Sequence, residues 1–356
     1  MAQAGSSLLF KAGPAAYAEI RQRGFAAERI GTIAGASGGP KWFVLSQLDR
    51  VLAQHLLPAI PGPVHLIGSS IGAWRFACYA QRDPAAAIAR FERAYLEQSY
   101  SARPDAAEIT ARTRDILSDM LGSDGVAEIL GHPRCRLHVL TVRARGPVAS
   151  EHRALQATGL ALAAAANLVS RRALGAFFAR GLFYDARDLP PCYNASGFPL
   201  HRIATSPDNL ADAILASGAI PLALLGVKDI AGAPPGVYRD GGVIDYHLDL
   251  PLSEPDRLTL FPHFFDRLIP GWFDKRLPYR RHSAAALDRT VLICPSPQFI
   301  ARLPNGKVPD RHDFVRYSTA ERLENWRATV AACRELADEL HDVLESDRLA
   351  ARLERL

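Results

Sequence analysis

Short apolar runs closed by glycine alternate along this chain with longer stretches of helical periodicity. Residues 12–24 carry a helical pattern that Gly24 closes. Residues 29–34, with Ile30 and Ile33, predict a strand that runs into a glycine-rich segment at 35–41. A helix is expected from 41 to about 57, its core side made of Phe43, Leu48, Val51 and Leu52. Residues 64–67 predict a short buried strand, and a helix follows from Ile71 with Ala73, Phe76, Ala77 and Ala80 on one side. Strand, glycine loop, helix, strand, turn and helix in succession open a parallel sheet.

The pattern continues with helices over 83–100 and 106–121, Pro84 taking a first-turn position, and a strand over 136–142. An alanine-rich helix is expected within 156–180, apolar over 160–169 and followed by Arg171, Arg172, Phe177 and Phe178. It reads either as a core or cap helix or as a surface helix touching a lipid interface, and it is too short to cross a bilayer. Strands are expected at 200–204, 243–246, 258–261 and 290–294, with a helix at 209–216. Ser318-Thr319-Ala320-Glu321 is a capping box opening a long C-terminal helix to about 344. Its seam is Trp326, Val330, Cys333, Ala337, Leu340 and Leu344, for docking on its own domain or, alternatively, dimerising.

A length of 356 residues with 48% hydrophobic and 22% charged content suits a globular α/β protein. The expected organisation is an α/β domain over 1–317 with a helical insertion around 150–190, and a helix in 318–356 docked on it. A net charge of +5 is compatible with an anionic lipid surface or nucleic acid. No nucleic-acid module is recognisable, so no nucleic-acid partner is expected. Five cysteines without a C-x-x-C argue for reduced thiols in a cytoplasm-like compartment and against a zinc ribbon, and no metal is expected. Residues 1–7 lack secretory-signal character, so the expected location is cytoplasmic, with peripheral membrane contact as an option. Phe264, Phe265, Ile269, Trp272 and Phe273 lie among Arg267, Lys275, Arg276, Arg280 and Arg281, which suits a membrane interface and a packed loop equally well.

The chemistry centres on Gly68-Ser69-Ser70-Ile71-Gly72, the G-x-S-x-G spacing that seats a serine on a sharp strand-to-helix turn. A helix N-terminus there favours the alkoxide. Acyl transfer also needs donors for the oxyanion, and the amides of Gly38 and Gly39 suit that role. A phosphate loop is excluded because Pro40 and Trp42 stand where it needs Gly and Ser or Thr. The glycine spacing from Gly35 does not match a dinucleotide loop either.

Four blocks in order, Gly38-Gly39-Pro40-Lys41, the Ser70 turn, Ala216-Ser217-Gly218-Ala219-Ile220-Pro221 and Asp240-Gly241-Gly242, resemble the patatin-like phospholipase family over about 31–246. The resemblance implies a three-layer α/β/α sandwich with a mainly parallel central sheet, and a serine–aspartate pair that cleaves acyl esters of lipids without histidine or cofactor. It implies Ser70 as nucleophile, Asp240 as base, Gly38 and Gly39 as oxyanion hole, and Lys41 as the family's basic position. Ser37 and Trp42 depart from the family pattern, which bears on the acyl slot, and roughly the last 110 residues carry no family motif.

A free aspartate, near pKa 3.9, is a weak base, so Asp240 would need raising by burial. Asp245 is the competing carboxylate, expected on a strand in a structural role. Two alternatives stand beside this reading: a Ser-Asp-His triad using His247, His282 or His312, and a lipid-binding protein that keeps the fold without turnover.

Overall fold

A computed structural model describes residues 6–356, and its strands join in one mixed sheet. In chain order they are β1 (Leu8–Ala12), β2 (Ile30–Gly35), β3 (Val64–Ser69), β4 (Cys135–Ala144), β5 (Phe178–Tyr184), β6 (Leu200–Ala204), β7 (Val227–Lys228), β8 (Val237–Asp240), β9 (Leu258–Pro262), β10 (Thr290–Pro295) and β11 (Leu353–Arg355). They lie in the order β11-β1-β10-β9-β2-β3-β4-β5-β6, with β8 pairing both β4 and β7. The run β10-β9-β2-β3-β4 is parallel, while β1 and β5 are antiparallel to β10 and β4. Helices cover both faces, so the architecture is the three-layer α/β/α sandwich with a mainly parallel sheet. Every residue of β2 and β3 is buried, as a parallel sheet covered on both sides requires.

The helices that position the site are α1 (Pro14–Arg23), α2 (Ser46–Val51), α3 (Ile71–Tyr79), α4 (Pro84–Leu96), α5 (Ala106–Leu121), α6 (Arg153–Val169), α7 (Leu210–Ser217), α8 (Thr319–Ala332) and α9 (Arg334–Glu345). Helix α3 packs on β2, β3 and β4. Its Arg75 donates two bonds to the Asp49 carboxylate of α2, at 2.8 and 2.6 Å, and Tyr79 donates a third at 2.8 Å. The helix after Ser70 is thereby locked to the segment after the glycine loop.

Several elements differ from the sequence reading. The helix expected over 41–57 is a 3-10 stretch (Gly39–Val44), then α2, then a wide turn (Leu52–Leu56). Its core side chains are buried as expected, because periodicity over one turn does not separate i+3 from i+4 bonding. The alanine-rich helix ends at Val169 and not near 180; Ser170 is extended, and 178–184 is strand β5. Arg180 breaks the apolar run that would have marked this strand, yet it is buried, donating to Asp245 at 2.6 and 2.8 Å. Asp245 therefore does pair structurally, but not on a strand: 243–246 is a 3-10 turn and the loop after it, folded back where Asp240 accepts the Gly242 amide. Strand β1, unassigned in the sequence reading, pairs with β10.

The C-terminal helix begins at the Ser318 capping box and runs to Glu345, interrupted at Cys333, whose ψ is −3°. Trp326, Cys333 and Leu340 of its seam are fully buried, and β11 beyond it extends the sheet beside β1. All five cysteines are buried free thiols. Among the described residues no helix is long and apolar enough to cross a membrane, and no group of ligating side chains could hold a metal.

Candidate active site

Ser70 sits between β3 and α3 with φ 55° and ψ −130°, a conformation that costs a non-glycine residue roughly 1–3 kcal/mol. The flanking glycines allow it by close approach: a Cβ on Gly72 would strike the Gly35 carbonyl, and one on Gly68 would strike the backbone of Gly72 and Ala73. The turn is held from behind by Ser217 at the end of α7. The Ser70 amide donates to Ser217 Oγ at 2.8 Å, and that hydroxyl donates to the Leu140 carbonyl at 2.6 Å.

Strand register brings Asp240 to this turn. Strand β3 pairs with β4 up to Ser69 opposite Leu140. Strand β8 takes over the same edge, antiparallel, with Asp240 opposite Thr141. Two strand ends thus meet along one edge of β4, and Ser70 Oγ donates to Asp240 Oδ2 at 2.6 Å. The second carboxylate oxygen accepts the Gly242 amide at 2.7 Å, and the Asp240 amide donates to the Ala219 carbonyl at 3.1 Å. Asp240 is only 6% exposed. Burial pushes its pKa from 3.8 to about 6, although the Ser70 and Gly242 donors and the charges of Lys275 and Arg311 pull the other way.

Among the described residues no histidine hydrogen-bonds to Ser70 or Asp240. His247 Nδ1 accepts the Ile269 amide, His282 faces Asp249 at 3.7 Å, and His312 is exposed.

The glycine loop packs against both partners. Ser37 Oγ donates to Ser69 Oγ at 3.0 Å, and a Cβ on Gly242 would strike the Ser37 side chain. The Ser37 amide is already committed to the Tyr246 carbonyl at 2.8 Å. The amides of Gly38 and Gly39, at the start of the 3-10 stretch, have no hydrogen-bond acceptor among the described residues. Lys41 is half-buried and its ammonium is pushed down by burial, with Asp310 and Arg311 among the nearest charges. Trp42 points into the core, stacked on Phe91 at 4.6 Å, so this departure fills core and not a slot.

The sequence reading assigned no role to three residues that the fold brings here. Ser217 lay within a recognised block and could have been found there. Lys275 was noted only as one of several cations; its Nζ lies 4.0 Å from the centre of the Tyr246 ring, and burial first, then Lys41 and Arg311, bring its pKa down to about 7. Arg311, beyond the last motif, carried no signal. It lies over Trp272 at 5.9 Å. The aromatic stretch divides: Phe264 is buried against Gly38, while Trp272 is half-exposed between these cations.

Comparison with known proteins adds three findings. A family model described as patatin-like phospholipase matches residues 48–248, taking in Ser70 and Asp240 but starting after the glycine loop. The crystal structure of VipD from Legionella pneumophila is similar at 12% identity and a TM-score of 0.33, covering 67% of this chain and 51% of that one, so the chain spans about half its length. No curated protein matches. With the family model covering more than half of its residues, the chain belongs to the patatin-like phospholipase family.

Proposed function

We propose that the protein is a serine acylhydrolase acting on lipid or related carboxylic esters. Ser70 Oγ attacks the ester carbonyl as Asp240 takes its proton, and the amides of Gly38 and Gly39 receive the charge developing on the carbonyl oxygen. The alkoxide leaves with a proton from Asp240. Water, deprotonated by the same carboxylate, then attacks the acyl-serine and frees the acid. Lys41 and Lys275 contribute positive potential to the site, and no cofactor is needed.

The observation that carries this reading is the 2.6 Å bond from Ser70 Oγ to Asp240 Oδ2, made across 170 positions of sequence by a serine in a strained turn. A buried carboxylate with its pKa near 6 is half-deprotonated just below neutrality, where a base is most useful. The test is hydrolysis of p-nitrophenyl esters and phospholipids, with fluorophosphonate labelling, by wild type and Ser70→Ala. Turnover and labelling should both vanish in the variant while His247→Ala, His282→Ala and His312→Ala keep the label. An unlabelled wild-type serine would leave a lipid binder without turnover, and loss of label in one histidine variant would point to a triad.

A further inference from the structure

Helix α6 has two faces of different kind. Gln156, Gly159, Leu160, Ala163 and Asn167 are buried against the domain. The outward face is also apolar: Leu155 is 48% exposed, Leu162 52%, Leu168 60% and Val169 87%. Leu155, Leu162 and Val169 stand seven residues apart, in one line along the helix. From 154 to 170 there is no charged residue. A surface helix in water ordinarily carries charge on its outer face, so this one is built for a less polar neighbour.

The rim of that face is basic. At the C-terminal end of α6 a cleft of about 420 Å³ is lined by Ser170, Arg171, Arg172, Gly197, Phe198 and Arg280. Arg280 Nη2 donates to the Asn167 carbonyl of α6 at 2.8 Å, while its Nε is buried with no acceptor among the described residues. Beside Arg280 in sequence, Tyr279 is 63% exposed and Arg281 is exposed, and so is Arg172 of the cleft lining.

Through its buried face the same helix reaches segments beside the Ser70 site. Gln156 of α6 accepts the amide of Leu222, itself 39% exposed and three residues past the Ala219 that holds the Asp240 amide. Asn167 donates to Asp274, the neighbour of Lys275.

We infer that α6 lies in the plane of a bilayer containing anionic lipid, its Leu155-Leu162-Val169 line sunk among the acyl chains and its arginine cleft receiving lipid phosphate. An apolar stripe with a cationic rim matches the chemistry of an anionic membrane surface, which a neutral protein face would not require. The purpose of this docking rests on the acylhydrolase reading, but the docking itself is measured without turnover.

The experiment uses the full chain as Ser70→Ala, sedimented with vesicles of phosphatidylcholine alone or of equal parts phosphatidylcholine and phosphatidylglycerol. Binding is expected to the mixed vesicles, weaker to phosphatidylcholine, and to fall as salt is raised. Leu162→Glu with Val169→Glu should cut partitioning at least about tenfold. Arg172→Ala and Arg281→Ala should each cost about fivefold on the anionic vesicles only. Because these side chains are exposed, thermal midpoints should stay unchanged, and the salt series on the unsubstituted surface needs no variant. Absence of vesicle binding, or binding indifferent to the substitutions, overturns the inference. So does a dimer that Leu162→Glu with Val169→Glu dissociates while vesicles are ignored, since the face would then belong to a second copy. Vesicle binding in a protein whose wild type cleaves no ester upholds the docking and removes the acylhydrolase reading alone.

Discussion

Replacing Asp240 by Asn should make the protein more stable while abolishing ester cleavage, and the gain should depend on pH in a defined way. In the folded chain the carboxyl titrates near 6, against an ordinary 3.8, because it is buried. Between those two values the folded state holds more protons than the unfolded one, so stability falls as pH rises through that window and stays low above it. At about 1.4 kcal/mol per pH unit, the total is about 3 kcal/mol. Asparagine is neutral throughout and keeps both contacts, its Oδ1 accepting the Gly242 amide and its Nδ2 donating to Ser70 Oγ. Urea denaturation should therefore show Asp240→Asn more stable by up to about 3 kcal/mol at pH 8 and by only about 0.6 kcal/mol at pH 4. In the same window, wild-type kcat/KM should climb with a midpoint near 6 as the base loses its proton. A variant no more stable at pH 8, or equally stabilised at both pH values, would refute the reasoning that burial holds Asp240 in a poised, costly state.

Ser217→Ala removes the acceptor of the Ser70 amide and its tie to the Leu140 carbonyl, so kcat should fall about tenfold with KM little changed, and Ser217→Thr should restore part of it. An unchanged kcat would make Ser217 merely structural. Lys275→Met removes a positive charge that lowers the Asp240 pKa, so the acid limb of the pH–rate profile should move to higher pH; a limb left in place would contradict the coupling. Arg180→Ala strands the fully buried Asp245 and should cost about 3–5 kcal/mol in denaturation, whereas Arg180→Met with Asp245→Leu should recover most of it.

Local signals made much of this protein legible from its residues in order. The turn at Ser70 could be read because its glycines act on adjacent backbone: Gly68 and Gly72 clear space that any side chain would fill. The capping box at Ser318 and Glu321 is likewise closed within four residues. Repeated strand and helix patterns over the first eighty or so residues foretold the parallel sheet, and the four motif blocks foretold the family. Tertiary structure alone decided the rest. Strand β5 was hidden because Arg180 looks polar until Asp245, 65 positions on, neutralises it in the interior. The meeting of Ser70 with Asp240 depends on β3 and β8 sharing one edge of β4, a register no local pattern encodes. Burial of that carboxylate, the backing by Ser217 and the arrival of Lys275 and Arg311 arise only once distant segments pack, because desolvation and charge act through space and not along the chain.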